Sequence, residues 1–297
     1  MMVTVGDVRL FVDVDGMQWV PDGPSMRRRP TVVFLHGGPG VDSSGSKSGY
    51  SWLSDVAQVV YYDHRGNGRS DEGDRSKWTL AQWGDDVRAL CDALGIEHPI
   101  VIGASFGGFV AMSYATRHPG HAAALGLLVT AARDAPAEDV IEAFRRLGGD
   151  EVAEVVREDL VAPTIDTSDA FIRHALPYYS QRPDAVALMA ESIARAIRKP
   201  EVEIHFNAGE LPTMDFRGAL SSVTCPTLVV SGESDPILPP SCWQETVDAL
   251  NPSVVEAHLI PGAGHTLTLD APETVQRIVT EFVQRHGGSL DGATSTT

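Results

Sequence analysis

The chain has 297 residues, 43% hydrophobic and 21% charged, as in an ordinary globular protein, and roughly 150 residues per domain allows one large domain or two smaller ones. A chain of this size buries roughly 75% of the surface it exposes unfolded, so its core needs neither metal nor disulfide. A formal net charge of −17 argues against a nucleic-acid partner, which needs concentrated Lys and Arg, and long-range attraction favours neutral or cationic small molecules.

The first residues, "MMVTVGDVRLFVDVDG", show no basic region leading into an apolar one. Nowhere do about 18 apolar residues run together, so the expectation is a cytosolic chain with no membrane partner. Val8 to Val14, "VRLFVDV", is rich in β-branched residues and predicts a strand ending at a D-G turn. Arg27 to Arg29, beside Pro30, reads as a solvated turn before the next strand. "TVVFLHG" and "VAQVVYYDHRG" are continuous apolar runs, the pattern of strands buried on both faces. Leu80, Trp83, Val87, Leu90 and Leu94 recur at spacings of three and four and predict an amphipathic helix closed by Gly95.

"PIVIGAS" predicts a strand, "FGGFVAMSYATRHPG" a helix stopped at His118-Pro119-Gly120, and "AALGLLVTA" another strand. Such alternation implies right-handed crossovers and a mostly parallel sheet with helices on both faces. It breaks over 135–216, where the chain reads as helical pieces, the pattern of an inserted helical cap. "CPTLVVSGESDP", "PPSCWQETVDAL", "SVVEAHLIPGAGH" and "APETVQRIVTEFVQRH" then resume strand, helix, strand, helix. The expected catalytic core is therefore 1–134 with 217–288, and the small polar tail 289–297 is expected to be disordered. Cys91, Cys225 and Cys242 contain no short-spaced pair, so they read as core thiols, without a disulfide or zinc site.

"GASFG", Gly103 to Gly107, matches G-x-S-x-G at a predicted strand-to-helix junction, where a serine on a sharp turn projects its hydroxyl above the sheet. A hydroxyl attacks only when a base takes its proton, and that base needs a carboxylate to fix its tautomer. Asp235 and His265 follow Ser105 in the required order, each just beyond a predicted strand. Glu233 and Asp270 are rival acids, the first too close to its strand and the second too close in sequence to His265. His98, His118, His121, His174, His258 and His286 are expected to be structural or solvated. The loop "HGGPG" then has a purpose: its glycines let backbone N–H groups approach a developing oxyanion, and Gly38 and Phe106 are the candidate donors. His36 is expected to brace that loop. No clustered spacing of metal ligands occurs, and no cofactor is expected.

Taken together, "HGGPG", "YYDHRGNGRS" from Tyr61 to Ser70, "GASFGG" and the Asp235 and His265 loops resemble the proline iminopeptidase group of α/β-hydrolase-fold serine enzymes. The likeness runs to about Thr130 and again from Cys225. It implies the α/β-hydrolase fold, a mostly parallel sheet flanked by helices with an inserted helical cap, and release of an N-terminal residue from a short peptide held by cap glutamates. It also implies that Asp63 and Arg65 bind one another and nearby loops. The chain departs from that pattern at Ala104 and Phe106 and has no tryptophan in the insertion. "EVEIHF" resembles the family's second glutamate region, which makes Glu203 a candidate amine ligand with Glu210 behind it; on composition alone both read as a solvated acidic face. An esterase or lactonase, whose acyl pocket Phe171, Leu176, Tyr178, Tyr179 and Met189 would line, is the alternative within hydrolases. From another class, a ligand-binding protein of this fold without turnover stays open.

Overall fold

The architecture follows from a computed structural model, which describes residues 1–287; the tail 289–297 lies outside the described residues. Strands β1 (Met2–Val5) and β2 (Val8–Asp15) form an antiparallel pair, and β3 (Trp19–Asp22) with β4 (Ser25–Arg28) forms a separate hairpin. Arg27 and Arg28 are thus strand residues, a correction to the expected turn, because they pair with Val20 and Trp19. β5 (Thr31–Leu35) leads through a loop to α1 (Ser44–Tyr50), and β6 (Gln58–Tyr62) is followed by α2 (Leu80–Leu94). Then come β7 (Ile100–Ala104), α3 (Phe106–Arg117) and β8 (Ala124–Leu128).

Five helices follow without an intervening named strand: α4 (Ala137–Gly148), α5 (Asp150–Val161), α6 (Ile165–His174), α7 (Ala185–Arg195) and α8 (Pro200–Ala208). A single bridge, Arg133 to Asp215, ties the two ends of this stretch together. β9 (Thr227–Gly232), α9 (Pro240–Ala249), β10 (Val255–Ile260), α10 (Leu267–Asp270) and α11 (Pro272–His286) complete the chain. Among the described residues no helix is long and apolar enough to cross a membrane.

The eight-stranded sheet runs β1-β2-β6-β5-β7-β8-β9-β10, parallel from β6 to β10. Its central strands are apolar on both faces because helices cover both, so β5 reads Thr-Val-Val-Phe-Leu with every residue buried. From β5 the chain steps first to β6 on one side and later to β7 on the other. Such a reversal opens a crevice at the carboxyl ends of the strands, where ligands bind in open α/β sheets.

The loop after β6 is held by ion pairs that differ from those expected. Asp63 accepts from Arg69 Nε at 2.8 Å and from the Ser43 hydroxyl at 2.7 Å, and does not pair with Arg65. Arg65 reaches across to α2, where Nε and Nη2 each donate to Asp86 at 2.8 Å, and its Nη1 meets Asp7 at 2.9 Å. Planar guanidinium matches carboxylate in this two-point fashion. Both side chains of the Arg65–Asp86 pair are buried, so removing one leaves an uncompensated charge. Asp86→Ala should cost about 3–5 kcal/mol in urea unfolding; replacing both residues by Met and Leu should recover most of that, and a loss under about 1 kcal/mol in the single variant would contradict the assignment.

Candidate active site

At the turn from β7 into α3, Ser105 adopts φ 53° and ψ −122°, a strained conformation for a residue with a side chain. The neighbours must be glycine for reasons of space. A Cβ on Gly103 would lie 2.1 Å from the Gly107 carbonyl oxygen, and one on Gly107 would lie 2.1 Å from that of Leu35. The turn is anchored to the sheet by Ser105 N–H donating to Leu128 O at 2.9 Å.

The structure brings Ser105, His265 and Asp235 into one hydrogen-bonded chain. Ser105 Oγ lies 3.0 Å from His265 Nε2, and His265 Nδ1 lies 2.7 Å from Asp235 Oδ2. Asp235 has its other oxygen fixed by the N–H groups of Ile237 and Leu238, each at 2.9 Å. An ionised carboxylate only accepts, so Nδ1 carries the proton and Nε2 presents its lone pair to the serine hydroxyl. Asp270 instead accepts from Gly264 N–H at 2.7 Å and braces the histidine loop, and Glu233 lies 3.4 Å from Gly262 N. The backbone N–H of His265 donates to Tyr179 O at 2.8 Å, and the two rings meet edge-on at 4.8 Å.

The other wall is the loop after β5, which contains a cis Gly38-Pro39 bond. Among the described residues the N–H groups of Gly38 and Phe106 have no acceptor. Gly40 is fixed from both sides, donating to Asn67 Oδ1 at 2.6 Å and accepting from Lys199 N–H at 2.7 Å. His36 is occupied within the loop: Nδ1–H donates to Gly37 O at 2.6 Å, and Nε2 accepts from His64 N–H at 3.1 Å. Burial lowers its pKa, opposed by the nearby Asp63 charge, so it braces and stays neutral. His64, which sequence reasoning missed, lies between the loop after β5 and the start of α3. Its Nε2 faces His36 O at 3.3 Å and its ring meets that of Phe106 edge-on at 5.5 Å. The available signal was its place in D-H-R-G directly after β6, the parallel neighbour of β5.

A cavity of about 500 Å³ opens beside Ser105 and His265, between α1, α7 and the loop after His265. Met189 lines it, whereas Phe171, Tyr178 and Tyr179 pack in the insertion's own cluster around Phe144. A larger hollow of about 720 Å³ near His98, His118 and His121 contains none of the chain's three linked residues. Among the described residues no three His, Cys, Asp or Glu converge as metal ligands.

Of the two candidate amine ligands, Glu203 sits against the loop after β5, where a Cβ on Gly40 would come within 3.0 Å of its own Cβ. Its Oε2 accepts from the Ser168 hydroxyl at 2.8 Å. Burial pushes the Glu203 carboxyl up, Ser168 opposes this, and the Asp159 charge adds to the rise. Asp159, also missed in the sequence, is 7% exposed and keeps Oδ1 buried without a partner among the described residues. Glu210 does not join them: its Oε2 accepts from Leu80 N–H at 2.7 Å and satisfies the open N-terminus of α2. Its carboxylate is thus engaged with the end of α2 rather than with Ser168 and Glu203.

The family model described as alpha/beta hydrolase fold matches residues 30–272. A putative carbamate hydrolase RutD of Caulobacter sp. (strain K31) is 28% identical over 276 residues, 91% of this chain and 96% of that protein. The proline iminopeptidase PfmaB of Pestalotiopsis fici is 27% identical, covering 93% of this chain and 99% of its own. Among solved structures, a proline iminopeptidase of Mycobacterium smegmatis superposes with a TM-score of 0.75 at 25% identity, covering 96% of this chain and 98% of that one.

Burial also raises the pKa of Asp159, so its ionised form opposes folding. The stability it contributes below an unfolded pKa of about 4 is lost as pH rises through the raised folded value. Asp159→Asn should therefore lose less stability than the unsubstituted chain between acid and neutral pH in urea unfolding, and an equal loss would contradict this account of Asp159.

Proposed function

Since the chain belongs to the alpha/beta hydrolase fold family, we propose that it hydrolyses small amides or esters through an acyl-enzyme on Ser105. The observation that carries this reading is the pair of contacts at 3.0 and 2.7 Å linking Ser105, His265 and Asp235. As Ser105 Oγ attacks the carbonyl carbon, His265 Nε2 takes its proton and Asp235 stabilises the imidazolium. The carbonyl oxygen becomes an anion held by Gly38 N–H and Phe106 N–H. Collapse breaks the bond to the leaving group, which receives the proton from His265. Water then attacks the acyl-serine with His265 again as base, releasing the acid and restoring Ser105.

For the substrate, the leading reading is an aminopeptidase of the proline iminopeptidase type, in which Glu203 holds the free amine. Two features support it: Glu203 lies beside the loop after β5, its carboxyl pushed up chiefly by burial and in part by the Asp159 charge, and relatives of that name align along nearly the whole chain. The second reading is an esterase or lactonase, favoured by the absence of any acidic residue from the described lining of the cavity beside Ser105.

Initial rates on a prolyl arylamide and on a short-chain aryl ester, with Ser105→Ala as the blank, separate the two. Ser105→Ala should lower kcat by about 10⁶, by analogy with other triads, and a drop under about tenfold would overturn the nucleophile assignment. Arylamide turnover that also weakens in Glu203→Gln, chiefly through KM, is the result expected of the aminopeptidase. Ester turnover alone would discard that reading and keep the acyl-enzyme.

A further inference from the structure

We propose that Arg195 reads a carboxylate on the substrate, so that the group housed beside Ser105 is an uncharged stem ending in an acid. The inference rests on the Ser105 acyl-enzyme and not on the choice between amide and ester. The cavity's only charged wall residue, among those described, is Arg195, aside from the histidine of the hydrogen-bonded chain. The sequence carries 40 acids against 23 Lys and Arg, so a wall with one guanidinium and no acid runs against its composition.

The wall is graded along α7. Leu188, Met189, Ser192 and Arg195 recur at one to four residues and form one face, apolar first, then a hydroxyl, then the guanidinium. Seven residues of helix span about 10 Å, room for a short aliphatic stem between the two ends. Opposite Ser192 stands Gly45 of α1, where a Cβ would lie 3.4 Å from the Ser192 hydroxyl. Arg195 is also uncommitted. Its one ion pair, to Glu191 a turn back, spans 3.6 Å with both side chains largely exposed, and it makes no hydrogen bond among the described residues. Arg65, Arg69 and Arg133, by contrast, each donate through Nε to a carboxylate at 2.6 to 2.8 Å. A guanidinium with free N–H groups presents a two-point fork that fits a carboxylate. The repulsion of an anion by the chain's net charge acts at long range and is screened beyond about 8 Å at physiological salt, whereas the fork acts at contact.

The test compares two aryl esters of equal length, the 4-nitrophenyl monoester of adipate and 4-nitrophenyl hexanoate, in the unsubstituted protein, Arg195→Gln and Arg195→Lys. A hydrogen bond to a charged group contributes about 1.5–3 kcal/mol, so Arg195→Gln should raise KM for the adipate ester about tenfold or more while hexanoate turnover changes less than about twofold. Arg195→Lys, which keeps the charge without the fork, should recover part of the loss. Equal effects on both esters, or none, would overturn the proposal. So would failure to turn over either ester when a fluorophosphonate labels Ser105. Failure of that label in folded protein would instead remove the acyl-enzyme itself, and this inference with it.

Discussion

The site depends on one backbone contact, the parallel pairing of β5 with β7 that sets Leu35 beside Gly103. Because α3 begins immediately beyond β7, its first turn presses on the end of β5. A Cβ on Gly107 would lie 2.1 Å from Leu35 O and 2.7 Å from His36 O. That closeness places the loop after β5, which carries Gly38, against the serine turn, which leads into Phe106, the two proposed oxyanion donors. His64 reinforces the junction from below, touching the backbone of one loop and the ring that starts the next helix.

The remaining site residues arrive by the same logic, one from beyond each of two further parallel strands. β9 delivers Asp235 and β10 delivers His265, both at the carboxyl edge. The helical stretch between β8 and β9 then grips both walls through its backbone. Lys199 N–H donates to Gly40 O, and Tyr179 O accepts from His265 N–H, at 2.7 and 2.8 Å. These helices are therefore tied to both the candidate oxyanion loop and the histidine.

Sequence pattern was legible where periodicity or sterics act locally. The apolar spacing of Leu80 to Leu94 and the buried runs of β5 and β7 each announce their elements, and G-x-S-x-G follows from the space available around Ser105. The helix α1, "SGSKSGY", has almost no apolar residue to show a period, and the hairpin β3–β4 is short, exposed and contains a proline, so neither was visible. Partnerships across long sequence distances were equally hidden. Glu210 caps a helix 130 residues away, and Arg65 chooses Asp86 over its near neighbour Asp63. Asp159 looks like one more acid on an amphipathic helix until the packing of α5 against α6 buries it.

The central claim is that Ser105 forms the covalent acyl intermediate with its oxygen held by two backbone donors. A structure of the protein reacted with an alkyl fluorophosphonate tests it most directly. The account predicts a phosphorus–Ser105 Oγ bond with the phosphoryl oxygen within about 2.7–3.1 Å of both Gly38 N and Phe106 N. An adduct on another residue, or a phosphoryl oxygen turned away from both N–H groups, would contradict it.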